Sequence, residues 1–179
     1  MKTNIKDYIK VYDNFLSKDL CDKLLKEYKN ISWKPVSSDE FDDGAFDTSF
    51  DKTEYDDIIM DQFRMLLHKY LQFLDLSHFQ GWTGFTNPKH DRFSKGNAMK
   101  KHCDHIHTLF SDEHEGVPIL TIQAVINTNY KGGDMIFYDD MKIKVKQGDV
   151  LVFPSSFLHP YRIEPVTKGI KYNMVSWVW

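Results

Sequence analysis

The chain has 179 residues, 41% of them hydrophobic and 15% aromatic, and its 23 Lys and Arg against 26 Asp and Glu leave a formal net charge of −3. That length fits one domain with a real core, and the slight acidity argues against a nucleic-acid binder driven by bulk electrostatics. No apolar run reaches membrane-spanning length, and two cysteines, Cys21 and Cys103, can build neither a disulfide framework nor a zinc cluster.

The opening Met1-Lys2-Thr3-Asn4-Ile5-Lys6 lacks the apolar stretch of a secretory signal, so the cytoplasm is the expected compartment, with no membrane partner. Residues 8–16 alternate roughly as a short strand. Ser17 then reads as the N-cap of a helix carrying Leu20, Leu24, Leu25 and Tyr28 on one face. Residues 37–51 are rich in Ser, Asp and Gly, with Phe41, Phe46 and Phe50 interspersed, and read as a loop able to fold over a substrate. A long amphipathic helix is predicted from about Glu54 to Leu74, capped by Thr53. Its buried stripe is Ile58, Ile59, Phe63, Leu66, Leu67, Tyr70 and Leu74, and His68 on it reads as structural.

From Gly81 the pattern changes to short strands and turns. Strands are predicted over 81–86, within 93–104, and over 119–127, 135–138, 141–146, 150–153 and 171–178. Asn87-Pro88, Lys131-Gly132-Gly133-Asp134 and Gln147-Gly148-Asp149 are turns. Residues 105–116 carry His105, His107 and His114 without periodicity and read as a second mobile loop. Helices first and many short strands after predict one domain over 1–179 of the α+β class, mainly β. Its helical part is about 1–80 and its β core about 81–179.

Chemistry gathers at His102-Cys103-Asp104. A histidine and a carboxylate at i and i+2 on an extended segment project from one face, close enough to share a metal ion, with Cys103 turned away. This pair alone is a weak pattern, whose ordinary reading is strand-end side chains facing water. A third ligand must come from elsewhere, and His159, the only histidine after His114, follows the strand-like Val150-Leu151-Val152-Phe153. Two histidines and one carboxylate on one face of an octahedron are the ligand set of non-haem Fe(II) oxygenases. On the last strand Lys171, Asn173 and Val175 share a face, where a point-charge cation and a neutral donor can clasp a carboxylate. Without His159 upstream, Lys171 would read as a surface ion-pair lysine.

Six segments in order then resemble the Fe(II)/2-oxoglutarate-dependent dioxygenase superfamily, in its prolyl 4-hydroxylase-like branch. They are the lead-in from Val11 to Cys21, Arg92-Phe93-Ser94-Lys95-Gly96 before His102, and His102-Cys103-Asp104 itself. Leu120 to Asn127 with its glycine turn Gly132-Gly133-Asp134, Gly148 to Pro154 leading to His159, and Pro165 to Tyr172 complete the set. The resemblance implies a double-stranded β-helix (jelly-roll) buttressed by helices. It implies iron on His102, Asp104 and His159, and 2-oxoglutarate as co-substrate paired with Lys171. Hydroxylation of a peptidyl proline or a small-molecule substrate by dioxygen would release succinate and CO2, with ascorbate as a further cofactor. Phe93 and Met99 stand where the branch often has tyrosines, so Gln123, Asn127 and Tyr172 are the candidates for the missing hydroxyl contact, with Asn173 beside Lys171 in the clasp. The interval from His159 to Lys171 is longer than in many relatives. Two alternatives remain: a cupin-like metal binder using His105 and His107, and a non-catalytic jelly-roll binding module.

Overall fold

The computed structural model describes residues 4–36, 44–75, 81–82, 84–104, 110–111, 114–115 and 117–179. Ser17 starts the first helix as its position predicts: its hydroxyl accepts the Leu20 amide at 3.2 Å and caps α1 (Lys18–Glu27). Helix α2 (Asp56–Leu74) begins two residues later than expected. Thr53 still locks its entry, because its amide and hydroxyl both donate to the Asp56 carboxylate, the first of these being one half of a capping box. The buried stripe is Ile59, Met60, Phe63, Leu66, Leu67, Tyr70 and Leu74. Ile58 lies off it and is 51% exposed.

The strands are β1 (Lys10–Tyr12), β2 (Lys34–Val36), β3 (Gly44–Ser49), β4 (Lys89–Phe93), β5 (Ala98–His102), β6 (Phe110–Ser111), β7 (His114–Glu115) and β8 (Leu120–Val125). There follow β9 (Lys131–Gly132), β10 (Met135–Phe137), β11 (Met141–Ile143), β12 (Val150–Pro154), β13 (Tyr161–Ile163), β14 (Val166–Lys168) and β15 (Lys171–Val178). Ten run as one curled antiparallel sheet in the order β1-β12-β8-β15-β4-β3-β5-β13-β10-β11, with β2 added on β3. Strand β3 joins the two halves, pairing with β4 through Asp47, Thr48 and Ser49 and with β5 through Gly44 and Ala45.

Alternation sorts the sheet's two faces. Ile122, Ala124, Val150, Val152, Met174 and Val178 pack outward against the apolar faces of α1 and α2. Phe93, Val125, Leu151, Phe153, Phe137 and Tyr161 form a second core inside the curl. The mainly-β architecture with helical buttresses is therefore as the sequence predicts, and no helix among the described residues is long and apolar enough to cross a membrane.

Four expectations are corrected. Within the predicted loop 37–51, residues 44–49 are β3: Phe46 is buried and stacks on Phe93 at 4.9 Å, while Asp47 pairs with Arg92. An acidic composition hid an ordinary strand alternation, and residues 37–43 lie outside the described set. Residues 8–16 are a 3-10 turn, Ile5–Tyr8, followed by the short β1. The expected strand 81–86 amounts to a single bridge, Phe85 to Val178. Inside the predicted loop 105–116 sits the two-residue hairpin β6–β7; 105–109, 112–113 and 116 lie outside the described residues.

Gly148 shows how tightly the sheet edge is fitted. Its φ is +87°, and an added Cβ would lie 2.3 Å from the Leu16 carbonyl oxygen. The same residue's carbonyl accepts the Leu16 amide, tying the α1 entry to the turn before β12. Gly148→Ala should therefore cost more than the about 1–2 kcal/mol of a left-handed alanine alone, read as a lower denaturation midpoint at unchanged m-value.

Candidate functional site

Asp104, two residues beyond β5, sits at the open end of the curl with its two oxygens in different surroundings. Oδ2 accepts hydrogen bonds from Thr121 Oγ1 at 2.5 Å and Trp177 Nε1 at 3.1 Å, so β8 and β15 hold the carboxylate from below. Oδ1 faces His102 Nε2 at 3.3 Å and receives the Tyr161 hydroxyl at 3.1 Å. Burial alone would raise the Asp104 carboxyl, but His102 and the Thr121 and Trp177 hydrogen bonds outweigh it and hold it below the ordinary carboxylate range. It is a carboxylate at neutral pH.

His102 is oriented from behind. Its Nδ1 lies 2.8 Å from the Lys100 carbonyl oxygen, and because a carbonyl only accepts, Nδ1 carries the hydrogen. In the neutral ring Nε2 then presents a lone pair toward Asp104 Oδ1. A backbone carbonyl fixing the far nitrogen is the usual support of a metal-bound histidine. Two electron-rich atoms facing each other across 3.3 Å are favourable when a proton or a cation lies between them.

His159 does not join this pair. It is buried, and its Nε2 donates to the Ile5 carbonyl at 3.0 Å while Nδ1 lies 3.4 Å from Ser156 Oγ. Burial pushes its pKa down. The cause is register: His159 closes the turn from Ser156, whose carbonyl accepts the His159 amide, and β13 begins only at Tyr161, directly opposite His102. Among the described residues no group of three His, Cys, Asp or Glu side chains comes together to hold a metal. The side chains of His105, His107 and His114, which the cupin-like alternative needs, lie outside the described residues.

Below the His102–Asp104 pair, the inward positions of β8 and β15 carry polar groups. Lys171 is 1% exposed, and its ammonium donates to the Gly133 carbonyl at 2.6 Å. Burial pulls its pKa down to about 8, against the opposing pull of Asp134 and Asp91. Gly133 has φ +66°, and a Cβ there would lie 3.1 Å from Lys171 Cδ, so glycine both makes the turn and leaves the lysine its path. Beside it Gln123 Oε1 and both amide atoms of Asn173 are buried without a hydrogen-bond partner among the described residues. Buried polar atoms are rarely left so, and together with the buried ammonium they form a cradle for a polar ligand, to whose anionic end the ammonium and Asn173 Nδ2 can donate.

Other candidates fall away. Tyr172 alternates to the outer face, where its ring lies 5.3 Å from Tyr28 and 5.8 Å from Trp33. Asn127 is spent on structure, accepting the Tyr172 amide and donating to the Ile170 carbonyl. Thr121, on the same inward face of β8 as Gln123, is taken up by Asp104. Sequence reasoning passed over Tyr161 and Trp177. It also passed over the ion pair on β4 between the half-buried Lys89 and the buried Asp91, Nζ 3.3 Å from Oδ1, whose inward parity with Phe93 was legible.

Comparison with known proteins bears on the family and the fold. The family described as the 2OG-Fe(II) oxygenase superfamily matches residues 89–179. A PKHD-type hydroxylase of Aliarcobacter butzleri is 43% identical over 53 residues, which take in 28% of this chain and 22% of that protein. The chain thus spans well under half the length of this and similar curated hydroxylases. The viral collagen prolyl hydroxylase of Paramecium Bursaria Chlorella virus-1, solved with 2OG, superposes with a TM-score of 0.73 at 18% identity. The alignment covers 96% of this chain and 95% of that one. A Trichoplax adhaerens prolyl hydroxylase, solved with a hypoxia inducible factor peptide fragment, gives 0.70 at 14% identity over 96% and 83% of the two chains. At those identities the likeness is one of fold, the double-stranded β-helix.

Proposed function

The chain belongs to the 2OG-Fe(II) oxygenase superfamily, and from that membership we propose that it hydroxylates a peptidyl proline or a related substrate. Fe(II) is its metal and 2-oxoglutarate its co-substrate; dioxygen is consumed, and succinate and CO2 are released. The observation that carries the reading is the pairing on one inner face of β8 and β15. A buried ammonium stands with the unsatisfied Gln123 and Asn173 in the cradle, and the anchored His102–Asp104 pair lies at the mouth. The donor set fits the metal: an imidazole nitrogen and a carboxylate oxygen suit iron, and each is fixed by a partner on its far side.

His102 Nε2 and Asp104 Oδ1 would hold the iron, which when bound supplies the oxidising chemistry that splits dioxygen against 2-oxoglutarate. Lys171 receives the distal carboxylate of the co-substrate, and its ammonium gains the anion that burial otherwise denies it. Asn173 and Gln123, on the same face, can donate their amide N–H groups to the co-substrate's remaining oxygens. Thr121 and Trp177 keep the Asp104 carboxylate from rotating. Phe93, Phe153 and Val125, all buried, keep water from the cradle, where every charge interaction is then stronger. Peptidyl proline as substrate is supported by the names of the hydroxylases this chain resembles. A cytoplasmic setting is supported by two buried cysteines that remain free thiols.

A succinate-release assay tests the reading. With Fe(II), 2-oxoglutarate and ascorbate, the protein should release succinate above its uncoupled rate when given a pool of proline-containing peptides, and not with free amino acids or oligonucleotides. Stimulation by oligonucleotides alone would move the substrate to another class. No succinate under any condition would end the oxygenase reading.

A further inference from the structure

We infer that Tyr161, rather than His159, fills the third protein position around the metal, so that this chain binds iron through His102, Asp104 and a phenol oxygen; the inference rests on the oxygenase reading above. Two ligand atoms each about 2.1 Å from a metal and at right angles to one another stand about 3.0 Å apart. Asp104 Oδ1 has His102 Nε2 at 3.3 Å and Tyr161 Oη at 3.1 Å, the spacing of neighbouring corners of an octahedron just before a metal draws them in. The far side of each is already committed: Oδ2 to Thr121 and Trp177, Nδ1 to the Lys100 carbonyl.

Tyr161 is held in place by its surroundings. It is 4% exposed and pairs with His102 across β13 and β5. Its ring centroid lies 4.5 Å from that of His102, 5.5 Å from Phe137 and 5.4 Å from Phe153. A side chain packed on several sides by rings does not swing aside to admit another ligand. Bringing His159 to the same place would require giving up its bond to Ile5 and sliding β13 by two residues against β5.

Coordination replaces the phenol O–H bond by a metal–oxygen bond and releases that proton to solvent, as metal binding at protonated ligands does. The hard, anionic oxygen favours ferric iron more than an imidazole would. A phenolate bound to Fe(III) also absorbs visible light by charge transfer, which gives a readout independent of turnover. The simpler view, in which Tyr161 only donates a hydrogen bond to Asp104, predicts no such absorption.

The experiment uses the full chain, its Tyr161→Phe, Tyr161→His and His159→Ala variants, and iron as the probe. Fe(II) affinity is titrated without oxygen, and the absorption spectrum is recorded after oxidation in air. Wild type and His159→Ala should bind with similar affinity and develop the visible band. Tyr161→Phe should lose the band and bind about tenfold or more weakly, and Tyr161→His should recover the affinity without the band. A band and affinity unchanged in Tyr161→Phe, or lost in His159→Ala, would overturn the inference and leave the oxygenase reading standing. Failure of the wild-type chain to bind iron at all would remove both.

Discussion

Lys171→Met is expected to weaken 2-oxoglutarate by about 2–4 kcal/mol, roughly 30- to 1,000-fold, while leaving iron binding in place. The same substitution should make the ligand-free protein more stable. Burial lowers the Lys171 pKa from 10.5 to about 8, and at about 1.36 kcal/mol per unit this amounts to a penalty of about 3 kcal/mol on the charged folded state. At pH 7 both folded and unfolded chains carry the proton, so the penalty is present in full. Between about 8 and 10.5 the unfolded chain binds more protons than the folded one, and stability rises with pH. Losing the hydrogen bond to Gly133 returns about 1 kcal/mol, leaving a net gain of about 2 kcal/mol for the variant at pH 7. Denaturant titrations at pH 7 and pH 9.5 should show wild-type stability rising toward the variant's, and calorimetry should show the loss of co-substrate affinity. Lys171→Arg, which keeps the charge, should lose less affinity. Unchanged 2-oxoglutarate binding by Lys171→Met would show that the cradle serves some other ligand.

Much of this fold could be read from residue patterns because strong local signals agreed with the tertiary structure. Ser17 caps where it should, and β12 carries the continuous apolar run Val150-Leu151-Val152-Phe153, buried on both faces. β3 was missed because Asp47, Thr48 and Ser49 carry turn-like chemistry, and its place between β4 and β5 is a long-range fact no local window contains. Tyr172 shows a different failing. Its parity is opposite to that of Lys171, so alternation already assigned it to the outer face, and it was considered only for its hydroxyl. Asn127 has the parity of Gln123, but β8 ends at Val125 and the chain turns away. His159 and Tyr161 are the hardest case, since residues two apart share a face and parity cannot choose between them. The start of β13 and its register against β5 decided it. The one available hint was the long interval between His159 and Lys171.

Asp104→Ala should abolish Fe(II) binding, a loss larger than the about 100-fold that removing an outer-shell partner causes. It should also cost stability, because the side chain accepts hydrogen bonds from Thr121, Tyr161 and Trp177. Thr121 has a second partner in Ser155 Oγ at 2.8 Å and can turn to it. The Trp177 and Tyr161 donors lose a buried acceptor, at about 1–3 kcal/mol each where water does not replace it. The loss of metal would then be hard to separate from a loosened site. Asp104→Asn separates them: it keeps the volume and one oxygen for Thr121, removing only the charge and one acceptor. That variant should unfold within about 1–2 kcal/mol of the parent and still bind iron far more weakly, since a neutral amide oxygen is a poor substitute for a carboxylate. His102→Ala should lose iron as completely while leaving the Thr121 and Trp177 anchors of Asp104 untouched. If Asp104→Asn took up Fe(II) as the parent does, Asp104 would be an orienting residue for Tyr161 and His102, and the metal would have to be sought elsewhere in the fold.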